Sequence, residues 1–599
     1  MRKPLPSGLK KSLRLIYVYA IAAGAIFTFI GYWDTIFYEY CGAGTFFGFI
    51  LMTLLILPIA MVYCELAPLF PKAGGELIYN TVGINRHVGF FSSWLIMAAW
   101  IAVPPSAVMA IVQWMFHVLH VNSSFFLIEG VALVALVGYC CLSLQNVEIA
   151  GKIQLYMLIF AIGGCIVATV AFLFSGVWSL DNFKNFFYSQ VGSQFGIPSW
   201  FIGMALLITP FFGFETVPQM VEEGDFPIKD SNKAILGSIV SCGLVYTLFF
   251  FGLGGMPVQS LVEEGGAAVN GFLAITMMEQ LGGGWSIFAI VFGIAAILCA
   301  IGTCLLGFWL STVRLMYAMG ENNFLPKAFT KLNRHQQPVL PNILLLIISL
   351  IFLLLQNATT FMNDFFNLMS FGCACAYAVT MISAMRIRKK YPQWVSPYKL
   401  KGGNITRILA LLIAIMIAFF CTLGQSAGSW KAFGIYLGVG VVLWLWMVLV
   451  NWKKHPVEIE TQKLKSQVRS LTHENTVDLL ELGRGVYEQY KNGTALDEKA
   501  EGLCEAISSR EESIAEFEEK ISAIKGAGKC PNCGKMVAKE MVFCPYCGEK
   551  MPAVTVDEEE TPGDDTEDVT LREEEASLFE EEAVKGDAAR SQEAAEEEA

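Results

Sequence analysis

The feature that most limits what this chain can fold into is a series of about twelve apolar runs between Leu15 and Val450. Each is near the roughly 20 residues a helix needs to cross the hydrocarbon core of a bilayer. In lipid every backbone N–H and C=O must be satisfied within the protein, so uninterrupted runs of this kind are read as helices. With 55% of its residues hydrophobic and 16% charged, the chain is not a soluble enzyme. The expected class is an all-α membrane protein with twelve transmembrane helices. Basic residues precede the first run, which is too long for a signal-peptide core and reads as a retained span.

Basic residues set the expected sidedness. Arg2, Lys3, Lys10, Lys11 and Arg14 precede span one, Lys72 and Arg86 follow span two, and Lys327, Lys331 and Arg334 follow span eight. Arg386, Arg388, Lys389, Lys390, Lys399, Lys401 and Arg407 follow span ten, while the opposite connections carry mainly Lys184 and Lys431. The positive-inside rule then puts both termini in the cytoplasm of a multi-pass protein of the plasma or inner membrane. Overall charge hides this bias: residues 553–599 hold 19 acids against three bases, which accounts for the net −12 and leaves the rest of the chain positive.

Hydropathy does not separate a channel, a receptor and a transporter. Four ordered segments do. Glu65-Leu-Ala-Pro-Leu-Phe-Pro-Lys-Ala-Gly-Gly-Glu-Leu-Ile-Tyr79 closes span two. Phe212-Gly-Phe-Glu215 is followed by Glu222, Glu223, Pro227 and Lys233. Arg314 to Pro326 closes span eight, and Arg388-Lys-Lys-Tyr-Pro392 with Pro397-Tyr-Lys399 follows span ten. Together they resemble the amino acid, polyamine and organocation transporter superfamily, specifically its amino acid permeases. That resemblance implies a LeuT-like architecture, with spans one to five and six to ten as inverted repeats and two peripheral helices. It also implies that the first helix of each repeat is broken at mid-bilayer, where free backbone groups meet a ligand's carboxylate and ammonium.

In span six the break is expected at Pro210 to Glu215, since Pro210 lacks an amide proton and Gly213 tolerates unusual dihedrals. Phe211, Phe212, Gly213 and Phe214 are the candidate ligand contacts; a kinked helix with ordinary aromatic packing is the plainer alternative. Glu215 is the one acid in mid-span six, and a carboxylate there is costly enough to imply function. The resemblance assigns it to coupling and gating, against a structural hydrogen bond to a neighbouring helix.

Span one departs from the family pattern. Gly24-Ala-Ile-Phe27 looks locally similar, but ungapped counting back from Pro71 puts the break at Thr28-Phe29-Ile30-Gly31-Tyr32, the register adopted for the substrate site. Tyr32 and Trp33 also fit an interfacial anchor. Asp34, if it faced the cavity, would favour a cation. Phe308 lies where some relatives have an aromatic lid, with core packing as its other reading. Ala161 stands where some proton-coupled relatives carry a lysine, and Ser311 and Thr312 either offer oxygens to sodium or bond their own backbone. Sodium, proton and exchange coupling all remain open at this point, as does the substrate.

The expected domain order is a cytosolic N-terminus at 1–14, a permease domain at 15–452, a helical or coiled segment at 453–528, a zinc ribbon at 529–549 and a disordered acidic tail at 550–599. In the coiled segment Leu503, Ile507, Ile514, Phe517, Ile521 and Ile524 recur at helical steps. Cys530-Pro-Asn-Cys533 and Cys544-Pro-Tyr-Cys547 are two CxxC knuckles, each followed by glycine, and four thiolates at this spacing close a tetrahedral, structural zinc shell. A closed shell of this type organises protein contacts, so a cytosolic protein partner is expected, and the acidic tail argues against nucleic acid. No phosphate-binding loop or catalytic constellation is found, so no enzyme is expected. The reading is a secondary active transporter, symporter or antiporter, of an amino acid or related amine by alternating access. Its alternatives are a polyamine or organic-cation carrier and a membrane substrate sensor signalling through the ribbon.

Overall fold

The computed structural model describes residues 9–451 apart from 121–124, 190–191, 266–271, 359–360, 393–395 and 424, together with 476, 479–481, 483, 509–517, 520, 527–529 and 536–538. The chain divides into two units, Met1–Glu518 and Glu519–Ala599.

In the first unit the described residues form α1 (Leu15–Ile26), α2 (Asp34–Cys41), α3 (Thr45–Leu69), α4 (Glu76–Gly83), α5 (Arg86–Val118), α6 (Phe125–Ser143), α7 (Val147–Leu173), α8 (Ser199–Leu206) and α9 (Thr216–Met220). They continue as α10 (Ser231–Gly254), α11 (Gln259–Gly265), α12 (Leu273–Leu281), α13 (Gly284–Gly293), α14 (Gly302–Glu321), α15 (Val339–Ala358), α16 (Phe361–Lys390), α17 (Gly403–Thr422) and α18 (Ala427–Trp446). Among the described residues ten stretches are long and apolar enough to cross a membrane, and Leu15–Ile26 and Val339–Leu355 are apolar but shorter. The protein is therefore an all-helical, multi-pass membrane protein in this unit. The 12 residues of α1 rise about 18 Å, too little for a hydrocarbon core of roughly 30 Å, because the helix is interrupted midway.

Burial sorts the helices. Nine of the 12 residues of α1 and every residue from Gly302 to Gly320 of α14 are buried, and α1 packs on α7, α10 and α14. On α7, α17 and α18, by contrast, large apolar side chains such as Ile159, Phe160, Leu412, Ile415 and Val442 point outward. A helix apolar on all sides belongs in lipid or deep in a bundle, and both cases occur here. Prolines inside α3 (Pro58, Pro68) and α5 (Pro104, Pro105) are held within otherwise continuous helices. An eight-residue π-helical segment, Ile294–Ile301, joins α13 to α14.

In the second unit, β1 (Ala527–Lys529) pairs antiparallel with β2 (Met536–Ala538), with Lys529 opposite Met536. The chain between the strands is Cys530–Lys535. The four zinc-ligand candidates, Cys530, Cys533, Cys544 and Cys547, lie outside the described residues, as do Leu503, Ile507, Ile521, Ile524 and the acidic tail.

Candidate functional site

Breaking a helix inside a membrane frees backbone groups that something else must satisfy. At the first break α1 stops at Ile26 and helix resumes at Asp34, with Gly31 at φ +91°. Tyr246 of α10 closes the gap. Its hydroxyl donates to the Ile26 carbonyl at 2.8 Å and accepts from the amides of Thr28 and Phe29 at 3.2 Å each. Its ring stacks on Phe49 at 4.6 Å, which fixes the hydroxyl's aim. Thr28 Oγ1 donates back to the Gly24 and Ala25 carbonyls. Sequence reasoning missed Tyr246. The available signal was a tyrosine in the middle of an apolar span, whose buried hydroxyl needs a partner.

The second break closes on itself. After α8 come a 3₁₀ turn at Thr209–Phe211, Gly213 at φ +150°, and then α9. The fully buried Glu215 carboxylate accepts from the Gly213 amide at 2.8 Å and from Trp100 Nε1 of α5 at 3.2 Å. Thr216 Oγ1 donates to the Gly213 carbonyl at 2.7 Å. A Cβ on Gly213 would lie 2.9 Å from Ala25 Cβ and 3.0 Å from both the Ala25 carbonyl carbon and the Ile26 amide nitrogen. Only glycine lets the two interrupted helices touch backbone to backbone.

Beside this crossing is a small cavity, lined from the first break by Thr28, Phe29 and Trp33, from the second by Thr209 and Phe212, from α5 by Ser106 and from α14 by Phe308. Of the sequence-derived contacts, Thr28, Phe29, Phe212 and Phe308 meet here. The others face elsewhere. Ile30 is buried in the core, and Gly31 packs on Ala296 of the π-helical segment. Tyr32 donates to Gln113 Oε1 at 2.6 Å. Phe211 lies against Phe49 and Tyr246, and Phe214 against Tyr63 and Tyr377. Gly213 contributes backbone at the crossing.

Asp34 does not line the cavity. Its carboxylate accepts from the amides of Leu273 at 3.2 Å and Ala274 at 3.1 Å, where α12 begins, and from Thr35 at 3.0 Å. Its charge is thus directed at helix-end donors, and a cation-selecting role loses its residue. Ser311 Oγ and Thr312 Oγ1 donate to the Gly307 and Phe308 carbonyls one turn back. Ala161 is buried.

The four motif segments converge through ion pairs. Lys72 of the first meets Glu222 of the second at 2.9 Å. Arg314 of the third binds Glu223 of the second through two nitrogens, at 2.8 and 3.1 Å, with neither side chain exposed. Arg388 of the fourth and Arg407 beyond it both hold Glu65 of the first. The Glu223 carbonyl also accepts from the amides of Ser12 and Leu13 at 2.9 Å each, and the Asp225 amide donates to Leu13 O. This ties the entry to α1 to the exit from α9, so the two interrupted helices are joined at one end of the bundle. Losing one partner of a buried pair such as Arg314–Glu223 costs roughly 3–5 kcal/mol.

Residues 13–445 match the family described as amino acid permease, and residues 529–551 match the zinc-ribbon domain. The chain is similar to the glutamate/serine transporter AimA of Bacillus subtilis, at 26% identity over 68% of this chain and 80% of that protein. It is also similar to the methylthioribose transporter of Bacillus subtilis, at 22% identity over 72% and 91%. A third relative, the branched-chain amino acid permease BcaP of Lactococcus lactis, is 23% identical over 50% and 66%.

Proposed function

The chain belongs to the amino acid permease family, and is a transport protein and not an enzyme; from that premise we propose that it moves an amino acid or related amine across the cell membrane by alternating access. The observation that carries this reading is the contact of two interrupted helices at Gly213 and Ala25–Ile26, beside a cavity to which both contribute. In this reading the end of α1 would meet an ammonium and the start of α9 a carboxylate once substrate displaces the bonds that Tyr246 and Glu215 make there in this structure. The two breaks stand one in each half of the domain, which supports the inverted-repeat architecture of two five-span halves and two peripheral helices; the asymmetry of basic residues supports cytoplasmic termini. Relatives named for glutamate and serine, for branched-chain amino acids and for γ-aminobutyrate support the substrate class without fixing the side chain.

Glu215 serves coupling in this reading. It ties α5 to the second break, so its protonation would loosen both contacts at once. The test is uptake by purified protein in sealed proteoliposomes across a panel of amino acids and amines, at two pH values, with and without sodium. Saturable uptake of one class is expected, and Glu215→Gln should flatten its pH dependence while the protein stays folded. Binding without flux or exchange would sink the transporter reading and leave a sensor.

For the C-terminal unit we assign Cys530, Cys533, Cys544 and Cys547 as ligands of one structural zinc. The β1–β2 hairpin supports this, because the link between its strands carries the first CxxC pair. A four-thiolate shell leaves no open position, so the ion would stabilise the fold of this unit and present it to a protein partner. Cys530→Ser should lower the zinc content of purified protein below one per chain; full retention refutes the assignment.

A further inference from the structure

Besides Glu215, three buried carboxylates lie in the motif segments, and they differ in their partners. Glu65 is held by Arg388 and Arg407, and Glu223 by Arg314. Glu76, on the short connecting helix α4 and outside the membrane-spanning stretches, has no basic partner among the described residues. Its Oε2 accepts from Gln219 Nε2 of α9 at 3.3 Å, and its Oε1 has no hydrogen-bond partner. An ionised carboxylate so buried and so sparsely served by donors is costly, and the usual remedy is to keep a proton.

The surroundings are those of a proton site. Tyr63 of α3, Tyr79 of α4 itself and Cys373 of α16 are the buried titratable groups around it, the two tyrosine rings 6.2 Å apart. Glu215, which follows the second break, faces it as well. The hydroxyls of Tyr63 and Tyr377, like Glu76 Oε1, make no well-formed hydrogen bond among the described residues, although Tyr63 stands next to Glu76 and Tyr377 next to Glu215, and the two rings are 5.8 Å apart. Both rings also contact Phe214, next to Glu215. Unpartnered polar atoms therefore extend from the second break to α4. Gln219 makes the site mechanical: its Oε1 accepts from the Gly74 amide at 3.0 Å while its Nε2 reaches Glu76. A Cβ on Gly75, at φ +36°, would lie 2.7 Å from that same Nε2, so the glycine pair lets the loop close on α9.

We propose that Glu76 is a second proton-binding site of the transport cycle, whose protonation state sets how firmly the loop after α3 holds α9. The proposal rests on the coupling role of Glu215 for its place in the cycle, but proton binding at Glu76 can be read separately. Burial pushes the Glu76 carboxyl up to about 8, and the negative charge of Glu215 acts in the same direction. At neutral pH it then keeps its proton, and it releases it as the pH rises through that value.

The experiment is an infrared pH titration of the purified full chain, reading the carbonyl stretch of protonated carboxylic acids between about pH 6 and 9, run beside pH-dependent uptake in proteoliposomes. Wild type is expected to lose an acid band across this range, and Glu76→Gln to lack it. The same variant should show at least about a tenfold weaker response of uptake to a pH gradient, with substrate counterflow within about twofold of wild type. An acid band unchanged in Glu76→Gln overturns the proposal. If that band instead vanishes in Glu215→Gln, the proposal falls and the Glu215 reading stands. If it vanishes in Glu76→Gln while Glu215→Gln keeps its full pH response, the Glu215 reading falls and this one stands. Should Glu76→Gln fail to fold, Glu76→Asp decides: a displaced midpoint supports the site, and an unmoved one refutes it.

Discussion

The two interrupted helices solve one problem by different means. At the break between α1 and α2 the local caps from Thr28 are completed from outside, by a hydroxyl on α10 some 220 positions away that also serves the Phe29 amide. At the break between α8 and α9 the freed groups are satisfied from within, by Glu215 and Thr216, two and three residues from the glycine they hold. The first conformation therefore depends on the packing of a third helix, and the second is largely encoded locally. Motion of α10 relative to α1 would disturb the first break at once, while the second can move as a unit. Trp100 Nε1 ties the Glu215 carboxylate to α5, which makes that contact a natural place for protonation to act.

The largest effect is expected where the two breaks meet. Gly213→Ala forces a side chain into a positive-φ conformation, at roughly 1–3 kcal/mol, and drives its Cβ against the backbone of Ala25 and Ile26. Because backbone cannot retreat, substrate uptake should fall by more than about tenfold, with a lower unfolding temperature in detergent. Near-normal uptake would mean that the crossing is not the working geometry.

Tyr246→Phe probes the dependence on a third helix. It leaves the Phe29 amide without its partner, at about 1–3 kcal/mol, while the Thr28 amide and the Ile26 carbonyl keep their mutual bond at 2.9 Å. Thermal unfolding and substrate affinity should both suffer, the aromatic packing on Phe49 being preserved. A variant as stable and as tightly binding as wild type would show that the first break is supported locally after all.

Thr216→Val gives the smallest effect, about 0.5–1.5 kcal/mol, since it removes one hydrogen bond from a break that retains the Glu215 contact. A larger loss for Thr216→Val than for Tyr246→Phe in the same assay would reverse the distinction between the breaks.

Legibility in the sequence follows the same division. Pro210, Gly213 and the lone acid Glu215 lie within six positions of one another, so the second break announces itself in an apolar run. The first break has no proline, and its position came from spacing to Pro71 and not from its own residues. The aromatics of the second break all looked alike, yet Phe212 lines the cavity while Phe211 and Phe214 pack against other rings. A one-residue step around an irregular backbone turns a side chain to a new neighbour, and composition carries no record of that turn. From its place after the break the sequence leaves open whether Asp34 faces the cavity; its carboxylate caps α12, some 240 positions on.

What the sequence determined by itself was the environment and the punctuation: a lipid-solvated helical bundle, its motif segments, a local break in span six and two CxxC knuckles. These are short-range properties, set by hydropathy over about 20 residues and by the dihedral freedom of proline and glycine. Only the tertiary structure decided which distant groups serve which. It brought Tyr246 to the first break, gave arginines to Glu65 and Glu223, and left Glu76 with Gln219. The physical reason is that a buried polar group must be satisfied somewhere, and sequence says how many such groups there are without saying which will meet.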